Sequence, residues 1–166
     1  MTSFFDITST LPWPNAIGKR TAVGPLVGAA ESEAISELAK TTPLILVITA
    51  TTAAAHNLAS ELPFFLSDDR EILLVPDWET LPYDNFSPHE DIVSDRLKAL
   101  SRLPTLKSGV VIVSVTTLMH RLAPRHFIDA GVLSLKTGET LDAAQFVRNL
   151  TRNGYRSVDT VYELSL

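Results

Sequence analysis

Short apolar runs alternate with segments of helical spacing along this chain, and this alternation constrains the fold more than any other feature. The runs lie at residues 44–49, 72–75 and 110–113. All three runs predict strands, and the continuous run at 44–49 is expected to be buried on both faces. Because helical segments separate the strands, we predict an α/β fold with a mostly parallel sheet flanked by helices. Ligands of such folds bind at the carboxyl ends of the strands, which are expected at residues 27–29, 49–51, 76–78 and 114–116.

Boundary signals predict two helices between these runs. Thr51 or the threonine after it can cap a helix that follows the first run, and Pro63 ends that helix. Ser87 and Glu90 have the spacing of a capping box, which predicts the start of a second helix over residues 91–103. The residues expected on the inward face of this second helix are Val93, Leu97 and Leu100.

The pattern restarts after Gly131, which indicates a second module. A strand-like segment at 132–135 precedes a helix that Thr140 can cap, and residues 153–154 are expected to end that helix in the left-handed conformation. Another strand-like segment follows at 157–162. We therefore predict one domain over residues 1–130 and the start of a truncated module over residues 131–166. Because so small a piece cannot bury its own apolar face, it is expected to pack on the first domain. The residues expected to make this contact are Phe146, Val147 and Leu150.

The composition excludes several classes of protein. The 166 residues include no cysteine, so disulfide scaffolds, zinc ribbons and thiol catalysis are excluded, and a cytoplasmic location fits. No apolar run is long enough for a transmembrane helix and the first residues do not form a signal peptide, so no membrane association is expected. The net charge of −5 argues against a protein that coats nucleic acid.

The charge is unevenly distributed along the chain. Residues 61–91 contain nine acidic residues and one basic residue, whereas residues 119–156 contain six basic and three acidic residues. The two segments can simply be solvated faces of opposite sign. Alternatively, the basic segment can form a surface for a partner or a phosphate group.

A degenerate phosphate loop is present at residues 23–32. Of the pattern Gly-x-x-x-x-Gly-Lys-Ser/Thr, only Ser32 and the intervening Gly28 remain, and Glu31 stands at the lysine position. A carboxylate there suits the positive end of a helix dipole, but repels a triphosphate by about 1 kcal/mol per charge pair at 4 Å in water. We interpret this segment as a loop of phosphate-loop shape that binds no nucleotide. An ordinary glycine-containing turn explains these residues equally well.

Other catalytic and metal-binding patterns are absent from the sequence. No two histidines have the i, i+4 spacing that, with a carboxylate, typically binds a metal on one helix, so no metal site is predicted. There is no Gly-x-Ser-x-Gly elbow, so acyl transfer has no support. No catalytic residue is therefore predicted in this chain.

The most unusual segment is residues 76–88, which combine three aromatic residues, three prolines and three carboxylates directly after a predicted strand. The prolines stiffen the segment, and the aromatic rings can dock it on the end of the sheet. A rigid, packed connection is one interpretation. A platform for bases or for a protein partner is the other, although the acidity argues against contact with a phosphate backbone.

This segment also carries a family resemblance. Residues 77–84, Asp-Trp-Glu-Thr-Leu-Pro-Tyr-Asp, and the Phe-Ser-Pro-His string at 86–89 closely resemble the N-terminal region of the bacterial transcription-repair coupling factors. Residues 111–119 and the Gly-Tyr-Arg string at 154–156 continue the match. The resemblance covers nearly the whole chain, from about residue 26 to residue 163.

The resemblance implies a role in DNA repair. Members of this family recognise RNA polymerase stalled at DNA lesions, displace it with a translocase that uses ATP and magnesium, and recruit the excision-repair protein UvrA. Their N-terminal region is similar to the damage-verifying protein UvrB, with a helicase-like α/β domain followed by a smaller domain that binds UvrA. By this resemblance, residues up to 130 form the helicase-like part, and the UvrA-binding part begins at Gly131.

Two departures from UvrB limit what is expected of this chain. The degenerate loop at Gly28, Glu31 and Ser32 implies no ATP turnover and no cofactor here, so ATP and magnesium are expected to act in the motor region of the full-length protein. Residues 78–103 leave no room for the long hairpin that UvrB inserts between DNA strands. The family's main UvrA contacts are expected beyond residue 166. The candidate contacts within this chain are Arg148, Arg152 and Arg156, of which the first two share a helix face.

Two functional hypotheses follow. The first is a non-catalytic scaffold and recruitment part of a transcription-repair coupling factor, whose partners are UvrA and, through other domains, RNA polymerase and DNA. The alternative is a small nucleotide- or cofactor-binding α/β enzyme with its site at Gly28 and Asp77.

Overall fold

A computed structural model of the chain describes residues 11–14, 16–67, 69–80, 84–132, 135, 137–153, 155 and 157–158. The described elements are α1 (Ala30–Thr41), β1 (Leu44–Thr49), α2 (Thr52–Glu61), β2 (Glu71–Val75), α3 (Glu90–Arg102), β3 (Gly109–Ser114), α4 (Val115–Leu118), α5 (Arg125–Gly131) and α6 (Ala143–Arg152). Short 3-10 turns follow α2 and α3 at Leu62–Phe64 and Leu103–Thr105. The chain divides into two compact units, Met1–His120 and Arg121–Leu166. The predicted domain boundary at residue 130 stays a prediction.

The first unit contains a three-stranded parallel sheet in the order β1-β3-β2. The predicted α/β fold is therefore confirmed. The central strand β3 is buried at all six positions because it has a strand on each side and helices on both faces. It begins at Gly109, where an added Cβ would lie 2.2 Å from the carbonyl oxygen of Glu71 on the neighbouring strand. The close approach of the two strands thus requires glycine at this position.

Two apolar clusters, one on each face of the sheet, form the core. On one face, Ile35 of α1 and Leu58 of α2 pack with Ile112 of the central strand. On the other face, Ala99 of α3 packs with Val111 and neighbouring residues. The sheet thus lies between α1 and α2 on one side and α3 on the other, which is the layered arrangement expected when helices connect parallel strands.

The prediction that β1 is buried on both faces is wrong. Leu44, Leu46 and Ile48 are 45%, 57% and 50% exposed, whereas Ile45 and Thr49, on the opposite face, are buried. Among the described residues β1 is an edge strand, and α3 covers the part of this face that lies over β2 and β3. An apolar run indicates that a segment forms a strand, but it does not indicate whether that strand is central or at the edge of the sheet.

The start of α2 follows the prediction. The amide of Ala54 donates to the Oγ1 of Thr51 at 3.1 Å, so Thr51 is the N-cap. The helix ends at Glu61, and Pro63 lies in the 3-10 turn that follows it.

Two predictions for α3 are wrong. Its N-cap is His89, whose Nδ1 accepts from the amide of Asp91 at 3.3 Å, so Ser87 and Glu90 do not form the predicted capping box. The inward face centres on Arg96 and Ala99. Of the predicted inward residues, Leu97 is exposed, and Val93 and Leu100 are only partly buried. An arginine can replace leucine inside because its guanidinium finds polar and aromatic partners there.

The strand predicted to end at residues 27–29 is also absent. Residues 16–29 contain no strand, and α1 precedes β1 along the chain. Gly24, Pro25 and Gly28 disfavour regular strand pairing in this segment. The candidate phosphate loop therefore lies before a helix but does not follow a strand.

The second unit contains α5 and α6. The helix α5 was not predicted, although an ion pair between Arg125 and Asp129 at 3.3 Å has helical i, i+4 spacing. The cap predicted for α6 at Thr140 is wrong, because Asp142 is the N-cap and accepts from the amide of Gln145 at 3.0 Å.

The left-handed end predicted for α6 at residues 153–154 falls on Gly154, which lies outside the described residues. The helix ends at Arg152, and the amide of Tyr155 donates to the carbonyl of Leu150 at 3.1 Å. The strand-like segments predicted at 132–135 and 157–162 lie largely outside the described residues. Within the described ranges, no helix is both long enough and apolar enough to cross a membrane.

Candidate functional site

The start of α1 is the candidate phosphate loop. Gly28 has a φ of +63° and open space around the position of a Cβ, so the turn requires glycine for its backbone conformation and not for close packing. The N-cap residue Ala29 offers no side-chain hydrogen bond to the first turn of the helix. The exposed Glu31 and the half-buried Glu33 lie in that turn, where carboxylates offset the positive end of the helix dipole.

Ser32 does not have the environment of a magnesium ligand. Its side chain is fully buried, and its hydroxyl donates to the Oε2 of Glu61 on α2 at 2.9 Å. This hydrogen bond connects α1 to α2. The structure therefore gives Ser32 a packing role between two helices.

A second polar site lies at the carboxyl edge of the sheet, and Asp77 is its centre. We call Thr52, Asp77, Arg96, Thr116 and His120 the carboxyl-edge cluster. The Oγ1 of Thr116 donates to the Oδ2 of Asp77 at 2.8 Å, and the Oγ1 of Thr52 donates to the same oxygen at 3.5 Å. The Nδ1 of His120 lies 3.6 Å from the Oδ1 of Asp77. One carboxylate thus links segments that follow all three strands.

Local structure keeps the Asp77 carboxylate ionised. Partial burial raises the pKa of this carboxyl group. The hydrogen bonds from Thr116 and from the Trp78 amide, at 2.7 Å, and the field of His120 together lower the pKa by more than burial raises it. The pKa of Asp77 therefore lies below its usual value near 3.8. Asp77 therefore carries a full negative charge at neutral pH.

Arg96 holds the start of the segment that contains Asp77. Its side chain is 1% exposed, and its Nη1 donates to the carbonyl of Pro76 at 2.6 Å. Its guanidinium also lies 4.7 Å from the centre of the Trp78 ring, which is a cation–π distance. Burial lowers the pKa of Arg96, and the Asp77 carboxylate opposes this effect. This end of residues 76–88 is thus a packed connection, as one of the two interpretations expected.

A network of hydroxyl groups orients Thr116. The Oγ of Ser114, at the end of β3, lies 2.8 Å from the Oγ1 of Thr116 and 2.9 Å from the Oγ1 of Thr117. Ser114 is also the N-cap of α4 and accepts from the amide of Thr117 at 3.2 Å. The donor that reaches Asp77 is therefore held by its own neighbours.

The candidate partner-binding arginines lie on α6. Arg148 and Arg152 are exposed, and the Nη2 of Arg148 donates to the Oε1 of Gln145 at 3.1 Å. Arg156 lies outside the described residues. On the same helix Phe146 and Leu150 are half-buried and Val147 is exposed, so α6 has separate apolar and cationic faces.

The described residues offer no cluster of metal ligands, because across these ranges no three histidine or acidic residues lie together in a group that could hold a metal ion.

A cavity of about 190 Å³ lies near the starts of β1 and β2, away from both candidate sites. Its lining residues are Ser36, Ala39, Lys40, Phe65, Leu66, Ser67 and Arg70. The predicted strand ends at 76–78 and 114–116 include Asp77 and Thr116, whereas Thr52, Arg96 and His120 were not predicted as site residues. The signal that could have found Thr52 is its position just after a predicted strand end.

The chain is similar in sequence to known proteins. Scanning the chain against protein-family models gives no match. The chain is 40% identical over 152 residues, 90% of its length, to the transcription-repair-coupling factor of Escherichia coli, of which it covers 13%. It is 39% identical, over 85% of its length, to the Haemophilus influenzae protein of that name, of which it covers 12%. It is 38% identical, over 76% of its length, to the Mycobacterium tuberculosis protein of that name, of which it covers 10%.

The chain therefore spans about one eighth of the length of the curated relatives it matches. The similarity includes most of the first unit, because the alignment with the Escherichia coli protein covers 90% of the chain. The resemblance predicted from residues 77–89 is thus confirmed, and the chain belongs to the transcription-repair-coupling factor family.

Proposed function

We propose that this chain is a non-catalytic recruitment part of a transcription-repair-coupling factor, within a protein that links stalled RNA polymerase to nucleotide excision repair through UvrA. The observation that carries the proposal is the 40% identity with a transcription-repair-coupling factor over 90% of the chain. DNA and RNA polymerase are partners of the whole protein in this proposal, and its location is the cytoplasm.

The geometry of α1 supports the non-catalytic part of the proposal. A nucleotide loop needs a lysine for the phosphates and a free hydroxyl for magnesium. Here Glu31 stands at the lysine position, and the Ser32 hydroxyl is engaged by Glu61. In this proposal ATP and magnesium act in a motor region of the full-length protein.

The alternative enzyme function has less support. It places a cofactor site at Gly28 and Asp77, yet the Asp77 carboxylate already accepts hydrogen bonds from Thr116 and from the Trp78 amide. No separate observation favours this alternative.

The cationic face of α6 supports the recruitment part of the proposal. Arg148 and Arg152 lie on one face of the helix and are exposed, and Arg156 follows in the sequence. Exposed arginines suit recognition of carboxylates on a protein partner, because the guanidinium can donate two parallel hydrogen bonds. In this proposal these arginines contribute to a UvrA surface whose larger part lies further along the polypeptide.

Binding to purified UvrA tests the recruitment part. The 166-residue chain is compared with a version extended by about one half-domain, and the extended version is expected to bind at least about tenfold more tightly. The double variant Arg148→Glu, Arg152→Glu is expected to weaken binding of the extended version about tenfold. Lys98→Glu on α3, an exposed charge reversal, is the matched control. Equal binding by the two lengths, or an unchanged affinity of the double variant, would contradict the proposed surface.

Calorimetric titration with ATP and magnesium tests the non-catalytic part. No binding is expected up to millimolar nucleotide, because Glu31 repels the phosphate groups and the Ser32 hydroxyl already donates to Glu61. A micromolar affinity that disappears in Ser32→Ala would overturn this part and leave the UvrA result standing.

A further inference from the structure

The carboxyl edge of the sheet has the layout of an anion site. Each of the three strands ends there, and such edges are where α/β folds bind phosphorylated ligands. Donors follow each strand: the Thr52 hydroxyl after β1, the Trp78 amide after β2 and the Thr116 hydroxyl after β3. Thr52 is also the first residue of α2, a helix of ten residues whose N-terminus favours negative charge.

A second observation concerns the donors that surround this edge. Arg96 is 1% exposed, yet its Nη2 is buried and has no hydrogen-bond partner among the described residues. The Nδ1 of His120 is also a buried atom without a hydrogen bond there, 3.6 Å from Asp77. Buried nitrogen donors are normally satisfied. The donor capacity around the edge therefore exceeds what one carboxylate uses.

We propose that Asp77 is an internal anion that fills a cradle of hydrogen-bond donors at the carboxyl edge, and that this carboxylate closes the cradle to external phosphate groups. The cradle is formed by the donors of Thr52, Trp78 and Thr116, with the His120 ring and the positive charge of Arg96 beside it. This inference goes beyond the proposed function, because it concerns an edge of the sheet that does not include the degenerate loop.

Charge and space both support the closure. A carboxylate and a phosphate at hydrogen-bond distance from the same donors repel each other strongly where water is partly excluded. The Asp77 side chain is only 15% exposed, so it occupies the interior of the cradle. Removal of the carboxylate therefore removes the repulsion and opens space among donors that remain in place.

Thermal unfolding in inorganic phosphate tests the proposal. The variant Asp77→Ser removes the carboxylate and keeps a small polar group. Asp84→Ser changes the same residue type at an exposed position nearby and is the matched control. About 20 mM phosphate is expected to raise the Tm of Asp77→Ser by about 3 °C relative to chloride of equal ionic strength, as for a ligand of millimolar Kd. The wild-type protein and Asp84→Ser are expected to shift by less than about 1 °C.

A folded Asp77→Ser protein whose Tm shifts no more in phosphate than that of Asp84→Ser would overturn the proposal. If Asp77→Ser is unfolded in chloride, recovery of its far-UV circular dichroism in phosphate supports the cradle, and no recovery overturns it. In Asp77→Asn the amide fills the same space as the carboxylate but has no charge. Phosphate is therefore expected to raise the Tm of Asp77→Asn less than that of Asp77→Ser. An equal rise in Tm would contradict the claim that the side chain at position 77 closes the cradle by filling its space. None of these outcomes depends on UvrA binding or on the ATP titration.

Discussion

The start of α1 and the carboxyl edge of the sheet both have features of a phosphate site, but each contains a carboxylate of the chain itself, in a different arrangement. At α1 a buried hydroxyl, Ser32, donates to Glu61 on the neighbouring helix. At the carboxyl edge three donors converge on one acid, Asp77. The first arrangement joins two helices, whereas the second joins the ends of three strands. In both places a carboxylate of the chain therefore joins neighbouring elements of the fold.

The largest expected effect on stability comes from Arg96, whose buried guanidinium holds the carboxyl edge of the sheet. The described contacts at the start of α1 include no buried arginine of this kind. Arg96→Ala removes the hydrogen bond to Pro76 and the stacking on Trp78. The free energy of unfolding is expected to fall by about 2–4 kcal/mol, since a buried charged hydrogen bond and a cation–π contact are both lost. Urea denaturation measures the change, and the exposed Lys98→Ala on the same helix is the control. A loss below about 0.5 kcal/mol would show that Arg96 does not support this edge.

Asp77 is expected to give the next largest effect, with a dependence on pH. Asp77→Asn is expected to lower the free energy of unfolding by about 1–2 kcal/mol at pH 7, because the hydrogen bonds to a charged acceptor become weaker. The folded-state pKa of Asp77 lies below its usual value near 3.8, so its contribution to stability is present above that value and is lost as the pH falls through the folded-state pKa.

The difference in stability between the wild-type protein and Asp77→Asn should therefore be constant above about pH 5 and narrow below about pH 4. Denaturation curves at a series of pH values measure this. A difference that widens as the pH falls would mean that the Asp77 carboxylate is destabilising in the folded state.

The smallest expected effect is at α1. Ser32→Ala removes the hydrogen bond to Glu61, and the loss of stability is expected to be about 1 kcal/mol because water can solvate the exposed Glu61 carboxylate. Ser60→Ala, an exposed serine at the end of α2, is expected to change stability by less than about 0.5 kcal/mol. Chemical denaturation of both variants gives the comparison. Equal losses would remove the packing role assigned to Ser32.

The sequence predicts those parts of the fold that depend on local pattern. The three strands and α2 with its Thr51 cap follow from apolar runs and capping residues. The exposed face of β1 could not be predicted, because strand order is set by pairing between distant segments. For the same reason the inward position of Arg96 was missed, since its partners Pro76 and Trp78 lie some twenty residues earlier.

The candidate sites show the same limit. Glu31 at the lysine position is visible in the sequence, because a phosphate loop is a contiguous motif. The carboxyl-edge cluster combines residues 52, 77, 96, 116 and 120, which are brought together only by the parallel sheet. The sequence predicts only Asp77 and Thr116 of these, because they lie at expected strand ends, where ligands of parallel sheets bind.

The central claim is that the chain's own carboxylates close both places to nucleotides. Amide chemical shifts of the isotopically labelled protein, titrated with ATP and magnesium to about 5 mM, test this residue by residue. No saturable shift is expected at residues 28–32, or at Thr52, Asp77 and Thr116. Saturable shifts at residues 28–32 with a micromolar Kd, lost in Ser32→Ala, would contradict the account.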